Sequence, residues 1–520
     1  MKEKSKKNGS RGARRRKSMK ISTKIITVTA ALLVLCGAGF ATQPQSLQAG
    51  IEELMRSRKY DTGGLGVVFK DLSNDSIVVA VNADTPMNPA SVQKLVTGAA
   101  AFEILGPNYI HTTRVYTNGV FDADSGIIRG NLYIRGAGDP GLNAEKIWLL
   151  VQHLRHRGVK RVTGDLIIDN FFFDDVGVGP GFSERESRSY QSLISALPAN
   201  YSSVGVHHRP GTEVGAPIFI DMFPRVEGFR VNNTATTVAG NKGKLDVSTE
   251  LSGGVTQINV KGTMGIEEKP GYTYRRMWQS WDAFGGAFRA QCIEQGLRID
   301  GRTHRRRTPD TLITQGAFYA FGGEPVTEFV RHMFKWSSNF VSEMLFKTMG
   351  AIKYGEPGTW PKGTDVIAEW WESRGLSGKP QIINGSGMGG EKTSKGTDGT
   401  VGRVRYENLM TPRQAAELLS YVSKQKSYYP DFVAALPSSG VDGTLASRFR
   451  RSKLRGIVRG KTGTLNSVKV SALAGYLLLD DKTYAFAIFC KDVGSGQHDN
   501  WVMQEQILEH VAKASGMPGW

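Results

Sequence analysis

Two stretches of similar pattern enclose a middle of different character, and this arrangement most constrains how the 520-residue chain folds. Residues 50–105 read as a helix, an antiparallel hairpin and a second helix. Residues 306–520 read as helices followed by three strands and a closing amphipathic helix. Residues 106–305 instead hold short β-like runs separated by glycine turns and interrupted by one helix, Ala144–Gly158. We therefore predict an α+β fold in which one domain is split by inserted β-rich subdomains, without alternating parallel units.

Three predictions in the last part of the chain bear on any functional site. We expect one continuous helix over Val326–Met349, a glycine-rich surface loop over Gly385–Asn408, and a strand over Leu454–Lys461. The other elements predicted here are helices at Gly363–Gly375 and Thr411–Lys424, and strands at Ser467–Leu478 and Lys482–Cys490.

The net charge of +18 is concentrated at the N-terminus. Residues 1–24 hold eleven Lys and Arg against a single acidic residue, and an uncharged apolar run, Ile25–Ala41, follows them. Residues 1–41 are thus typical of a secretory signal peptide, or of a membrane anchor if uncleaved, and Met19 is an alternative start. The other basic cluster, His304–Arg307, is short and lacks aromatic neighbours, so we predict no nucleic-acid partner.

The few cysteines exclude several kinds of site. Beyond residue 41 the chain contains only Cys292 and Cys490, too few for a disulfide framework or a zinc site, and whether these two pair stays open. The nine histidines form no HExxH motif and have no acidic companions at ligand spacing. We predict an enzyme without metal or cofactor.

A nucleophilic serine activated by lysine is the remaining candidate, because no serine lies in a Gly-x-Ser-x-Gly elbow. Ser-x-x-Lys occurs at Ser91–Lys94 and at Ser423–Lys426. Ser91 opens an apolar helix, so the Lys94 amine lies one turn on and, with a pKa lowered by burial, can act as its base. The helix N-terminus would also stabilise an oxyanion. The pair Ser423–Lys426 lies at the end of a helix in a charged stretch, so we interpret it as exposed on the surface.

Ser337-Ser338-Asn339 is the only Ser-x-Asn in the chain. It lies within the predicted helical segment that continues, apolar, through Leu345. The Ser337 hydroxyl could shuttle a proton between base and leaving group, while the Asn339 amide could hold Lys94 and a substrate carbonyl.

Lys461-Thr462-Gly463 is likewise unique and lies on a predicted strand just before Thr464. Lys461 and the hydroxyls of Thr462 and Thr464 suit a substrate carboxylate, and the Thr464 amide could be a second oxyanion donor. Gly463 would let a ligand lie close against the backbone.

Each element also has a structural explanation on its own: Ser91 as a helix cap, Ser337–Asn339 as a capped helix start, and Lys461–Gly463 as a strand end. Their occurrence together, in this order and each on the expected element, favours catalysis. The three motifs together are the set that penicillin-binding proteins and serine β-lactamases use.

The chain resembles the D-alanyl-D-alanine carboxypeptidase/endopeptidase family of low-molecular-mass penicillin-binding proteins, the class C group (peptidase family S13) typified by penicillin-binding protein 4. Beyond the three motifs, similar stretches are Gly136–Pro140, Gly164–Asp169, Asn384–Met388 and Leu436–Leu445. The resemblance runs from about residue 51 to the C-terminus. Ser91 and Ser337 are 246 residues apart, and an insertion after the nucleophile helix marks this group.

The resemblance implies the fold and its boundaries. A penicillin-binding/serine β-lactamase-like transpeptidase domain, an antiparallel sheet flanked by helices, would comprise residues 50–105 and 306–520, with two subdomains inserted over 106–305. Ser338 and Asn384 stand where the family usually has aspartate, and the loop from Gly389 to Tyr406 is longer than usual.

The resemblance also implies the activity. We expect a periplasmic hydrolase of cell-wall biogenesis, a serine carboxypeptidase or endopeptidase that cleaves D-Ala-D-Xaa bonds of peptidoglycan stem peptides through an acyl-enzyme on Ser91. β-Lactams would acylate the same serine, and an uncleaved N-terminus would associate the enzyme with the inner membrane. The alternatives are a β-lactamase or D-amino-acid esterase on the same fold, or a catalytically inactive wall-binding scaffold.

Overall fold

The computed structural model describes residues 47–58, 60, 62–395, 401–493 and 496–517, with only the backbone described for 391–395, 401–404 and 467. The predicted signal or anchor, residues 1–41, lies outside the described residues. Within them, no helix has the length and apolar character needed to cross a membrane.

A five-stranded antiparallel sheet joins the two ends of the chain. Leu65–Asp71 pairs with Thr483–Lys491 on one side and with Ile77–Val81 on the other. Val470–Leu478 and Val458–Leu465 complete the sheet. Strands from before residue 106 and after residue 450 therefore share one sheet, which we call the central sheet.

Both faces of the central sheet are buried, because successive side chains on a strand point to opposite faces. Ala472, Ala474 and Tyr476 pack into a core shared with the helices on one side. Leu473 and Leu477 pack against the helices on the other side. The first layer contains the helices Lys94–Ile104, Val326–Trp336, Asn339–Tyr354, Trp360–Ser373, Pro412–Ser423 and Tyr429–Ala435. The second layer contains Leu47–Ser57 and Gln497–Ala514. The predicted α+β class, helices flanking an antiparallel sheet, is confirmed.

The middle of the chain forms four further sheets around a core of its own. The first of these four sheets has five strands, in the order Thr303–Arg305, Leu166–Asp169, Leu132–Arg135, Ile110–Thr117, Tyr319–Pro325. The second, of four strands, has the order Arg298–Ile299, Arg161–Val162, Ile127–Arg129, Val120–Asp122. The third consists of Arg230–Asn233, Val255–Gly265, Thr236–Val238 and Leu245–Ser252, and the fourth of Phe219–Phe223, Ser203–Arg209 and Gly271–Arg276. The helices here are Ala144–His156, Ser280–Glu294 and Asp310–Gln315.

The expectation that this region lacks alternating parallel units was wrong. Leu132–Arg135 and Leu166–Asp169 are parallel neighbours, with the helix Ala144–His156 between them in the chain. At four residues, these strands are too short to show the long apolar runs by which buried parallel strands are recognised. The sheet that contains these two strands also includes Tyr319–Pro325, which lies beyond residue 305. The domain boundaries stay a prediction.

Two further local predictions differ from the structure. The stretch predicted as a loop, Gly385–Asn408, contains an antiparallel pair, Gly390–Lys395 with Val401–Tyr406. A two-stranded hairpin forms by backbone pairing and requires no apolar face, so its glycine-rich, charged sequence hid it. Cys292 and Cys490 are both free and lie in different cores, so they do not pair.

Candidate active site

Ser91 lies in a tight turn that precedes the helix it was predicted to open. Residues Ala90–Gln93 form a 3₁₀ turn, and the α-helix begins at Lys94. Ala90 adopts φ 45°, a left-handed conformation that side-chain-bearing residues rarely take, and its N–H donates to Asn88 Oδ1 at 2.8 Å. Ala90 and Val92 are buried while Ser91 is partly exposed, so the turn directs the serine outward.

Two glycines allow the chain to close around this turn. A Cβ on Gly387, whose φ is 79°, would lie 1.8 Å from the Ala90 carbonyl oxygen. A Cβ on Gly463 would lie 2.7 Å from the Pro89 oxygen and 3.0 Å from the Ser91 nitrogen. Gly463 was predicted to make room for a ligand. In the structure it makes room for the backbone that carries Ser91, because the strand packs directly on the turn.

Lys94 is fully buried and contacts three oxygens. Its Nζ lies 2.9 Å from Ser91 Oγ, 2.8 Å from Asn339 Oδ1 and 2.8 Å from the Ser386 carbonyl oxygen. Burial lowers the pKa of Lys94 to about 7, and the negative charge of Glu343 opposes that shift. The amine is thus held against the serine with a pKa near neutrality, as the sequence predicted for a base.

Ser337 lies between two helices, whereas one continuous helix was expected. The first helix ends at Trp336, Ser337 takes φ 56°, and the Ser338 side chain caps the second helix by accepting from the Val341 N–H at 3.3 Å. The apolar periodicity continues across the break because both helices pack into the same core. The break places the Ser337 hydroxyl 2.8 Å from Lys461 Nζ.

Lys461 is also fully buried. Its Nζ donates to Ser337 Oγ and, at 2.7 Å, to the Thr462 carbonyl oxygen. Burial holds the pKa of Lys461 well below its usual value, and the positive charge of Lys94 lowers it further. Each of the two buried lysines therefore contacts the hydroxyl of one serine, Lys94 that of Ser91 and Lys461 that of Ser337.

Ser91, Ser337, Asn339 and Thr464 line a cavity of about 960 Å³, a size typical of ligand sites. Lys94 and Lys461 are buried behind the two serines. The Thr462 hydroxyl bonds to the Thr444 hydroxyl at 2.8 Å. The structure thus brings all the predicted side chains to one site, with Thr462 engaged by a neighbouring loop.

The middle of the chain supplies a second wall of the cavity. Residues between Gly181 and Gln191 line it, and the Asn339 side-chain N–H donates to the Tyr190 carbonyl at 3.2 Å. The third wall consists of residues 387–390. We call the segment 181–191 the cavity loop.

Sequence reasoning missed two groups that position Lys94. Glu343 is buried, accepts from the Gly385 and Ser386 N–H groups at 3.1 and 2.8 Å, and thereby orients the loop whose carbonyl contacts Lys94. An acidic residue in an apolar helical stretch, one turn after Asn339, was the available signal. The Ser386 carbonyl left none, because a backbone group has no sequence signature.

Comparisons with known proteins show the family and the fold of this chain. Residues 47–513 match the model of the D-Ala-D-Ala carboxypeptidase 3 (S13) family. A D-alanyl-D-alanine carboxypeptidase of Actinomadura sp. (strain R39) is 27% identical, covering 98% of this chain and 92% of its own. The crystal structure of penicillin-binding protein 4 from Haemophilus influenzae is 22% identical, with a TM-score of 0.73, covering 89% of this chain and 98% of its own. The same protein complexed with a β-lactam has a TM-score of 0.68 at the same identity and coverage.

Proposed function

Because the chain belongs to the D-Ala-D-Ala carboxypeptidase 3 (S13) family, we propose that Ser91 is its nucleophile and Lys94 the base that activates it. The protein is a serine carboxypeptidase of the penicillin-binding type. The observation that carries the assignment is the position of Lys94 Nζ, 2.9 Å from the Ser91 hydroxyl and buried beneath it.

The contacts of Lys94 favour an amine that can take a proton. A neutral lysine amine has two N–H donors and one lone pair. Asn339 Oδ1 and the Ser386 carbonyl accept two hydrogen bonds, which leaves the lone pair for the Ser91 O–H. With the pKa of Lys94 at about 7, a large share of the enzyme is in this form at neutral pH. Ser91 can then attack the carbonyl of a D-Ala-D-Xaa bond as Lys94 accepts its proton.

Ser337 and Lys461 serve the leaving group and the substrate carboxylate. The Ser337 hydroxyl, held at 2.8 Å by Lys461, gives its proton to the departing amine and regains the one that Lys94 took from Ser91. The carboxylate of the terminal residue binds beside Lys461 and Thr464, where its charge raises the lysine pKa again. Asn339 aligns the substrate amide from the opposite wall.

The oxyanion forms beside the backbone of Ser91 and Thr464. Gly463 permits the strand to approach Ser91, so the N–H groups of residues 91 and 464 can donate to the same oxygen. Water then hydrolyses the acyl-enzyme. A terminal D-alanine as the leaving group makes the reaction a carboxypeptidase step, and a cross-linking diamino acid makes it an endopeptidase step.

The substrate is the stem peptide of peptidoglycan, and β-lactams acylate Ser91 because they present a strained amide in the same geometry. The enzyme acts in the periplasm, with residues 1–41 serving as its export signal or membrane anchor. The charge supports export, since ten of the eighteen surplus positive charges lie in residues 1–24.

Labelling of the purified protein with a fluorescent penicillin tests the nucleophile. We expect stable labelling of the wild type and none of Ser91→Ala, with Ser423→Ala, the serine of the other Ser-x-x-Lys pair, labelled like wild type. Mass spectrometry of a digest of cross-linked peptidoglycan then separates carboxypeptidase from endopeptidase products. Equal labelling of Ser91→Ala and wild type would remove Ser91 from the mechanism, and rapid release of the label would indicate a β-lactamase.

A further inference from the structure

One face of the three-stranded sheet in the inserted region carries four exposed aromatic rings. Phe219 and Phe223 lie on the strand Phe219–Phe223, where Ile220 and Met222 point instead toward the core. Tyr272 and Tyr274 lie on the strand Gly271–Arg276 at the other side of the sheet. We call Phe219, Phe223, Tyr272 and Tyr274 the aromatic face.

The pairing register places these rings on one side of the sheet. Phe223 and Tyr274 both pair with Gly205 on Ser203–Arg209, the central strand of this three-stranded sheet. The three positions therefore share a face. In the same way Tyr272 shares its central-strand partner, His207, with Asp221.

The two tyrosines form an open platform. Tyr272 is 61% and Tyr274 52% exposed, and their ring centroids are 6.5 Å apart with the planes 17° from parallel. Beneath Tyr274 is Gly205, where an added Cβ would lie 3.0 Å from Tyr274 Cε1 and 3.4 Å from Cδ1. The Tyr274 ring therefore lies on the backbone of the central strand, and its other side faces solvent. Contiguous exposed apolar surface is a common mark of an interaction site in soluble proteins.

Polar groups surround the rings without adding net charge. Arg209 lies over the Phe219 ring, 3.8 Å from its centroid, and His207 packs against Tyr272 at 4.6 Å between centroids. Arg209 and Asp221 are one positive and one negative side chain on this face. A face with balanced charges and stacked rings suits an uncharged polar ligand better than a polyanion, which requires clustered positive charge.

One strand connects the aromatic face with a wall of the cavity. Arg276 ends the strand that carries Tyr272 and Tyr274, and its side chain lies buried under the cavity loop. Its guanidinium donates to the carbonyls of Ser183 at 2.9 Å and Glu184 at 2.9 Å. A ligand resting on Tyr274 is thus two residues along one strand from the side chain that holds a wall of the cavity.

We infer that the aromatic face binds the glycan chain of peptidoglycan while a stem peptide of the same polymer enters the cavity, an inference that rests on the proposed function. The glycan is a chain of N-acetylated pyranose sugars. Their apolar C–H faces stack on aromatic rings, and their hydroxyl and N-acetyl groups hydrogen-bond to side chains such as His207, Arg209 and Asp221. The site holds the polymer in place and takes no part in bond cleavage.

Calorimetric titration with an oligosaccharide of N-acetylglucosamine, an uncharged chain of N-acetylated pyranose sugars, tests this site. We expect the wild type to bind and the double variant Tyr272→Ala/Tyr274→Ala to bind about tenfold more weakly or worse, since that variant loses both rings on which a sugar would stack. The double variant Tyr272→Phe/Tyr274→Phe keeps both rings and should bind within about twofold of wild type. Trp148→Ala, which removes an exposed ring on the helix Ala144–His156, should bind like wild type.

Three outcomes overturn the inference: a wild type that does not bind the oligosaccharide, an alanine variant that binds as tightly as wild type, or loss in that variant of a self-associated form present in wild type. The last would show that a second copy of the chain covers the face. Fluorescent penicillin separates this failure from failure of the proposed function. All the tyrosine variants should label at the wild-type rate, and a wild type that is not labelled contradicts the function whatever the glycan result.

Discussion

Lys94 has a perturbed proton affinity because of where its amine lies. The side chain is fully buried. Because a charge is costly to hold away from water, burial lowers the pKa of Lys94 to about 7. Glu343, the carboxylate that opposes this shift, is engaged by the backbone N–H groups of residues 385 and 386 and by the Trp360 indole at 2.8 Å. Three donors thus hold the carboxylate in place, while its charge still opposes the fall in the Lys94 pKa.

The rate of acylation should therefore depend on pH around neutrality. Lys94 acts as a base only when neutral, so we expect the second-order rate of penicillin labelling to rise as pH increases through about 7 and to level off above it. Stopped-flow or timed labelling between pH 5 and 9 measures the profile.

Lys94→Arg is the matched variant for that profile. Arginine retains the positive charge and cannot give up its proton, so labelling should fall about 100-fold or more at every pH. A wild-type profile that is flat between pH 6 and 8 would contradict the role of Lys94.

At the scale of elements, the contact between a strand and a turn determines the geometry of the site. The strand Val458–Leu465 lies against the turn Ala90–Gln93, and the absence of a side chain at Gly463 is what permits the contact. The same strand carries Lys461 to Ser337. One packing contact between elements thus aligns both serines.

Gly463→Ala should impair acylation far more than it impairs folding. The added Cβ would lie 2.7 Å from the Pro89 oxygen, a backbone atom that can move only if the Ser91 turn moves. Overpacking of this kind costs about 1–3 kcal/mol, and a small displacement of the nucleophile lowers the rate at least about tenfold. Penicillin-labelling rates and thermal unfolding measure the two effects.

Gly460→Ala, on the same strand, is the control. Its Cβ would meet Leu473 Cδ1 at 3.1 Å, the end of a flexible side chain that can shift. We expect labelling close to wild type. Similar losses of activity in the two variants would mean that the strand, and not its contact with the turn, is sensitive.

The elements themselves were largely predictable, and their interruptions were not. Apolar periodicity predicts one helix over residues 326–349, and the structure has two helices there. The break at Ser337 left no mark in that periodicity, because the helices on both sides face one core. Its left-handed backbone is stabilised by neighbours distant in sequence, Lys461 among them.

At the scale of the whole molecule, the buried carboxyl of Asp139 lies where the sheets in the middle of the chain meet the helix Val326–Trp336. Asp139 Oδ1 accepts from the Gly141 N–H at 2.8 Å, and a Cβ on Gly323 would lie 2.4 Å from its Oδ2. Phe329 of the helix Val326–Trp336 packs beside Gly141. Burial raises the pKa of Asp139 to about 6, since no full compensation for its charge is close by.

Stability at this junction should fall as pH rises. The folded chain keeps the Asp139 proton up to about pH 6, while the unfolded chain loses it near pH 4, so the folded state binds more protons between these values. The stabilisation is complete below about pH 4 and is lost as pH rises through about 6. As pH rises across that window, we expect the free energy of unfolding of Asp139→Asn to increase relative to that of wild type by up to about 2–3 kcal/mol. Urea unfolding at pH 4, 5, 6 and 7 measures the difference.

Asp481→Asn, in an exposed turn, is the control and should track wild type at all four pH values. A constant difference between Asp139→Asn and wild type across the range would show that the carboxyl titrates normally.

The sequence by itself determined the α+β class and the three motifs that contain Ser91, Lys94, Ser337, Asn339 and Lys461, whose catalytic roles stay a proposal. These follow from short-range patterns, periodicity and motif spacing, which are properties of residues close in the chain. Only the tertiary structure decided that Gly463 packs on the nucleophile turn, that Glu343 orients the Ser386 carbonyl, and that the cavity loop closes one wall. Those are contacts between backbone and side-chain groups far apart in sequence, and they exist only once the core has brought the elements together.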